Sequence, residues 1–308
     1  MSLFRQHAAP CAFPAEESWV ILSPIEASIK RKIEAVGTPL SEWDIHIYRG
    51  VLTGCNEAFI IPTARRDEIL AACRDEDERR RTAELIRPIL RGRDIKRYGY
   101  EWAELWVIYI PWHFPMQFDE SIKGASEKAE QAFREQYPAV YAHLLLYKEP
   151  LSKRNQAETG IRYEWYALQR WGANYWEDFE KPQILWIELS DEPKFCFAEK
   201  FVSLNTIFFL TGENIHHILG LLNSKLITWY FKHCIGTTSG VGTNRWLKYT
   251  IERLPIAGVD PRVEESATLL CEDATENREE IDYKLSRIVC ELYKLTPEEI
   301  DFISNNVQ

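Results

Sequence analysis

LWVIYIP, from Leu105 to Pro111, carries β-branched and aromatic side chains on successive positions and reads as a buried strand. Working outward, QILWIEL (Gln183 to Leu189) and TIFFL (Thr206 to Leu210) have the same character. IHIYRGVLTG (Ile45 to Gly54) reads as a strand and turn, followed by a strand at AFIIP (Ala58 to Pro62). Helical signals lie between and around these runs. Ser23 can cap a helix whose first turn holds Pro24 and Glu26, and Gly37 can end it. Ile25, Ile29, Ile33 and Val36 would share one face of that helix. Charged helical sequence follows Pro62 and runs into LIRPILRGRDIKRY, Leu85 to Tyr98. Ser126 to Tyr147 is helical, with Pro138 opening a second helix. Asn214 can cap a helix carrying ILGLLNSKLITWYF, GTTSGVGTN (Gly236 to Asn244) reads as a loop, and the chain beyond Pro261 is helical and acidic. The opening stretch, Met1 to Trp19, has no clear amphipathic period. The pattern predicts a mixed α/β fold: a strand-rich core with peripheral helices and a helical C-terminal part. Boundaries near Gly124 and near Gly258 to Pro261 divide it into an α/β part at 1–124, a second at 125–258, and an acidic helical extension at 259–308.

Composition narrows the function classes. With 308 residues, 45% hydrophobic and 27% charged, the chain can bury a large core of ordinary globular type. Its formal charge of −10 argues against coating nucleic acid by bulk attraction. The acid is concentrated around Asp75 to Glu78 and from Val263 to Asp301, so a local basic groove stays open as a reading. Seven cysteines without a CxxC pair or a partner His at ligand spacing read as free thiols of a cytoplasmic protein. No uninterrupted apolar run of membrane-spanning length and no signal-peptide pattern is present.

Six separated motifs then point one way. TGCNEAFII begins at Thr53, RPILRGRDIKRY at Arg87, FEKPQILW at Phe179, LNSKLITWYF at Leu222 and LKYTIERLPI at Leu247, while Lys148 to Arg154 closes a helix in the pattern YK..L..R. In this order they resemble the TaqI-like C-terminal specificity domain, the target-recognition part of type IIG restriction-modification enzymes and adenine-specific DNA methyltransferases. The resemblance extends from about Trp19 to Ile256. It implies sequence-specific recognition of double-stranded DNA, in company with a methyltransferase domain, in cis or in trans, that uses S-adenosylmethionine. This chain holds neither an NPPY motif nor a Gly-rich cofactor loop after a strand, so the reader is expected here and the catalyst and its cofactor elsewhere. Gln183 departs from the family pattern, where a second Lys is common, which weakens any phosphate contact assigned there.

The residues that would meet DNA are basic or hydrogen-bonding groups on loops. Arg91, Arg93, Lys96 and Arg97 form the densest basic cluster, and the planar fork of Arg suits a phosphate or a guanine edge. Asp94 within the cluster can instead pair with one of these arginines and pin the loop, and both roles are compatible. Thr53 and Asn56 could bond a phosphate and an adenine, but Asn and Gly are standard turn residues and a structural role is favoured. Thr243, Asn244 and Arg245 end a run rich in small residues that could follow a phosphate backbone or serve as a linker. Lys153, Arg154 and Lys225 are further candidate phosphate contacts, although each alone is more often a solvated surface charge. Trp171, Tyr175 and Trp176 could stack on an unpaired base, although core packing is the better account.

No catalytic or metal-binding motif emerges. His216 and His217 are adjacent, so on a helix they diverge by about 100° and cannot easily share a metal. Two rival readings remain. Asp178, Glu192 and Lys194 superficially match a magnesium-dependent nuclease pattern, which would make the chain a DNA endonuclease itself. The acidic C-terminal helices would suit a scaffold that docks on a methyltransferase without touching DNA.

Overall fold

A computed structural model of the chain describes residues 22–235, 237–239, 243–272 and 276–306. The opening stretch through Trp19, with Cys11, lies outside them, as do Gly236 and residues 240–242 of the glycine-rich run. The fold is mixed α/β.

The first helix, α1 (Pro24–Val36), forms as its sequence requires. The Ser23 hydroxyl accepts from the Glu26 amide, the Glu26 carboxylate accepts from the Ser23 amide at 2.7 Å, and Ile29 and Ile33 are fully buried. After it the chain runs through β1 (Ile45–Arg49), β2 (Ile60–Pro62), α2 (Thr63–Ala71), α3 (Glu76–Leu85), β3 (Ile86–Leu90) and β4 (Leu105–Ile108). Helices α4 (Glu127–Gln136) and α5 (Pro138–Leu145) follow, parted by Pro138 as expected. Then come β5 (Pro182–Ile187), β6 (Leu189–Ser190), β7 (Cys196–Glu199), β8 (Val202–Ser203) and β9 (Ile207–Gly212). The remainder holds α6 (Ile215–Leu222), α7 (Lys225–Tyr230), β10 (Thr237–Ser239), β11 (Thr243–Arg245), and the C-terminal helices α8 (Pro261–Cys271), α9 (Arg278–Leu292) and α10 (Pro297–Asn306).

A four-stranded antiparallel sheet, β1-β9-β5-β7, forms the central wall. Side chains alternate across it. Ile184 and Trp186 of β5, with Phe208 and Leu210 of β9, enter one core shared with α1 and the C-terminal helices. Leu185, Ile207 and Phe209 enter a second core on the other side, shared with α4 and α5. A sheet covered on both faces needs apolar side chains at every position, which is why these strands read as continuous hydrophobic runs. The second core is closed by another four-stranded sheet, β2-β4-β3-β8, and by the aromatic segment Tyr163 to Trp171. Among the described residues no helix is long and apolar enough to cross a membrane.

Three local readings change. The expected loop at Gly236 to Asn244 supplies two strands, β10 and β11, which pair with each other and with β6. The single helix expected after Asn214 is two: the Asn223 side chain bonds both backbone groups of Phe195, and Ser224 caps a new helix that starts at Lys225, its hydroxyl accepting from the Ile227 amide. Asn56 opens a short helix, Asn56–Phe59, instead of a turn between strands.

Candidate functional site

The basic residues separate into three groups with different surroundings. The first is at the end of the central wall, where β5 and β9 meet. β1 ends there at Arg49, opposite Phe208, and its guanidinium lies 4.8 Å from the Phe208 ring. β11 ends there at Arg245, opposite Leu189 of β6. Between them stands Glu188, whose two carboxylate oxygens are divided: Oε1 accepts from Arg245 at 2.7 Å and Oε2 from Arg49. Lys248 adds an ammonium bonded to the Ile47 carbonyl at 3.0 Å. The basic loop after β3 reaches the same rim because Gly92 presses against β5; a Cβ on Gly92 would stand 3.1 Å from the Ile187 side chain. That contact places the loop that carries Arg91 and Arg93 at the same end of the sheet.

Asp94 decides what those two arginines do. It is 3% exposed and accepts from the Arg91 amide at 2.8 Å, from Arg91 Nε at 3.1 Å and from Arg91 Nη2 at 2.8 Å. These bonds hold the Arg91 guanidinium above its ordinary pKa and fix the loop. Arg93 is exposed and has no ion-pair partner among the described residues. This end of the sheet therefore carries guanidinium groups from two strands (Arg49 and Arg245) on one carboxylate, with the loop of the exposed Arg93 packed on the same end of β5 and the exposed Asp191 and Glu192 following β6. Such an arrangement holds an anion with oxygen geometry like that of a carboxylate, and phosphate fits the description.

The second group is occupied by other partners. Arg97 forms a paired bond to Asp282 of α9, at 2.5 and 2.7 Å, and donates to the Asn223 carbonyl at 2.8 Å. Lys96 pairs with Glu101 at 3.1 Å, and Lys225 donates to the Ser304 carbonyl at 3.3 Å. Thus the basic stretch from Arg91 to Arg97 splits, its first half on the rim and its last residue tied to the C-terminal helices.

The third group is interior. Arg154 is buried and donates to the carbonyls of Thr53, Trp165 and Ala167. Burial pushes its guanidinium down to about 10. The Thr53 hydroxyl donates to the Asn56 side chain at 2.6 Å, and Gly54 takes a φ of +72° directly over Arg154. Thr53, Asn56 and Arg154 are thus one structural knot. Lys153, by contrast, is exposed and pairs with Glu149 of the same short helix at 2.5 Å.

Asn244 is buried and donates to the Asp191 carbonyl at 3.4 Å, while the side chain of Thr243 lies outside the described residues. Gln183, standing where a Lys is common, is wholly buried with its amide on the Phe201 carbonyl. Asp178 and Glu192 flank the opposite ends of β5, about 20 Å apart at the rise of a six-residue strand. Asp178 is occupied by Lys181 and Thr211. No cluster of His, Cys, Asp and Glu suited to a metal occurs among the described residues. Arg49 and Glu188 escaped the sequence reading. Each is one more charge at a strand end, and their meeting across 139 positions has no local signal.

The family model described as the TaqI-like C-terminal specificity domain matches residues 87–256, more than half of the chain. The chain belongs to that family. The matched stretch runs from the strand that carries the Arg91 loop to the strand pair that closes on α1, and it includes Arg93, Glu188 and Arg245. Among solved structures, this specificity domain is similar to the type IIL restriction-modification enzyme MmeI in complex with DNA, with a TM-score of 0.53 at 15% identity. That likeness covers 87% of this chain and 35% of the enzyme. The type IIG restriction endonuclease BpuSI is matched at 11% identity and a TM-score of 0.46, over 90% of this chain and 34% of that one. The chain spans about a third of the length of these enzymes.

Proposed function

We propose that this specificity domain recognises a particular double-stranded DNA sequence for a type IIG restriction-modification enzyme or an adenine-N6 DNA methyltransferase. The observation that carries the reading is the rim where Arg49 and Arg245 share Glu188 beside the unpartnered Arg93. The side chains of Arg49 and Arg245 are half exposed and outnumber the carboxylate between them, and the exposed Arg93 is carried on a loop at the same end of the sheet. Phosphate oxygens can take the bonds that Glu188 now accepts, and Arg93 is free for a phosphate or a guanine edge. The catalytic partner, a methyltransferase domain holding S-adenosylmethionine, would receive the target adenine once it leaves the base stack. The overall charge of −10 then assists discrimination, because it opposes non-specific association with DNA.

The test is selection from random duplexes followed by binding titrations at several salt concentrations. Enrichment of one sequence is expected, with affinity falling steeply as salt rises. Arg93→Ala should either relax preference at one base pair, as a reader does, or weaken all sequences alike, as a phosphate anchor does. Glu188→Gln should raise general DNA affinity by releasing two arginines from their carboxylate. A folded sample that binds no duplex above background at low salt would overturn the proposal.

A further inference from the structure

Past Arg49 the chain leaves β1 and runs beside other segments at the same end of the central sheet. Gly50 donates its amide to the Ile207 carbonyl at 3.0 Å, and Val51 donates to the Ser203 carbonyl of β8 at 2.8 Å. This approach needs a glycine, since a Cβ on Gly50 would collide with the Ser203 and Leu204 carbonyl oxygens. Ser203 is paired in turn with Leu90, the last residue of β3 before the Arg91 loop. On the other side, Leu52 and Arg170 exchange both backbone hydrogen bonds, each at 2.9 Å. Leu90, the Ser203–Leu204 step, the Val51–Leu52 step and Arg170 therefore follow one another laterally. Three interstrand steps of about 4.8 Å put the Arg170 backbone within roughly 14 Å of Leu90, less than half of a duplex turn of about 34 Å.

The backbone around Arg170 is held on both sides. Leu168 is wholly buried and donates to the Ile110 carbonyl at 2.9 Å, and the Trp171 carbonyl accepts from the Tyr109 hydroxyl. The Arg170 side chain is nevertheless exposed, and it forms no ion pair or side-chain hydrogen bond among the described residues. It stands near Tyr175: burial raises that phenol, and the Arg170 charge opposes the rise. The Tyr175 hydroxyl donates to the Arg49 carbonyl at 2.9 Å, which uses its one donor and leaves none for a phosphate. Arg154, the other cation close to this turn, is spent on three carbonyls. Arg170 is thus an uncompensated guanidinium on a pinned backbone, beside the strand that ends in Arg49.

We propose that Arg170 is a phosphate contact for DNA bound at this end of the sheet. The inference rests on the DNA-recognition reading and adds to it a residue that no motif of the sequence marks. Because the contact uses neither Glu188 nor a base edge, it anchors every sequence alike.

The experiment uses the duplex enriched by selection, with each phosphate in turn replaced by an uncharged methylphosphonate. One position is expected at which the replacement weakens the unaltered chain and leaves Arg170→Ala indifferent. On unmodified DNA, Arg170→Ala should weaken enriched and unrelated duplexes by the same factor. That factor is about tenfold, the lower end of what a hydrogen bond to a charged group contributes. The salt slope should fall by about 0.9. Arg79→Ala removes an equal charge from an exposed site on α3, which enters β3 at the end away from Leu90, and should keep the sensitivity at that phosphate. An unchanged urea midpoint for Arg170→Ala confirms that the fold is retained. If the enriched duplex binds but every methylphosphonate affects Arg170→Ala as it affects the unaltered chain, the inference fails and the DNA reading stands. Loss of the same sensitivity in Arg79→Ala, or an altered preference at one base pair in Arg170→Ala, would also overturn it. Absence of any duplex binding at low salt defeats both.

Discussion

Arg154 and Arg245 both lie in the stretch that the family model matches, yet one is an internal strut and the other a surface contact. Arg154 donates to three backbone carbonyls from a buried position, and among the described residues no carboxylate pairs with it. Arg245 shares a carboxylate with Arg49 at a rim where its side chain is 43% exposed. A buried guanidinium satisfied only by carbonyls cannot be withdrawn without leaving those carbonyls unpaired. A rim guanidinium held by a carboxylate can exchange it for another anion at little cost. The difference teaches that a basic residue's role follows from its acceptors: carbonyls of the fold make it structural, and a solvent-facing carboxylate makes it available.

The largest expected effect breaks the interior member. Arg154→Ala should lower stability by about 3 kcal/mol or more, read from the urea midpoint, because three carbonyls lose their donor inside the fold. Arg154→Lys should recover little of this, since one ammonium cannot span the fork that serves all three. The salt dependence of DNA binding by the folded fraction should be unchanged. At the rim the pattern should invert. Arg49→Ala with Arg245→Ala should reduce the salt slope of DNA binding by about 0.9 for each lost phosphate contact, while stability shifts by about 0.5 kcal/mol or less. A rim variant that unfolds the chain, or an Arg154 variant that changes only DNA binding, would break the comparison. Arg97 is intermediate, half-buried on Asp282. Asp282→Asn should cost about 1 kcal/mol after allowance for solvent screening, with DNA affinity unaffected.

The smallest effect is the response to acid. Burial holds His143, His216 and His217 below the ordinary histidine value of 6.5. The unfolded chain then takes up protons first as pH falls, so these groups contribute fully above about 6.5 and their contribution is lost as pH drops through the depressed values. Thermal melting should move down between about pH 7 and pH 5.5, and His143→Gln should reduce that shift.

Much of the fold is legible locally. The capping box at Ser23 and Glu26, the break at Pro138 and the apolar runs of β5 and β9 each carry their own physical signal within a few residues. The loop expected at Gly236 to Asn244 was misread because its small and hydroxyl residues suit a turn as well as a short strand, and its pairing partner, β6, lies about fifty residues away. The site was legible in part. Arg93 stands in a family motif and Arg245 ends the run of small residues, but the partition of the basic cluster depends on where Asp94, Asp282 and Glu188 fall, and two of these lie far along the chain.

Residue order by itself determined the family, the strand and helix inventory near its strong signals, and the types of side chain available to meet a polyanion. Only the tertiary structure decided which cations face solvent. A guanidinium has the same local sequence signature whether it bonds carbonyls, a distant carboxylate or nothing. Those acceptors are brought to it by the packing of the two cores across the central sheet, which no window of neighbouring residues encodes.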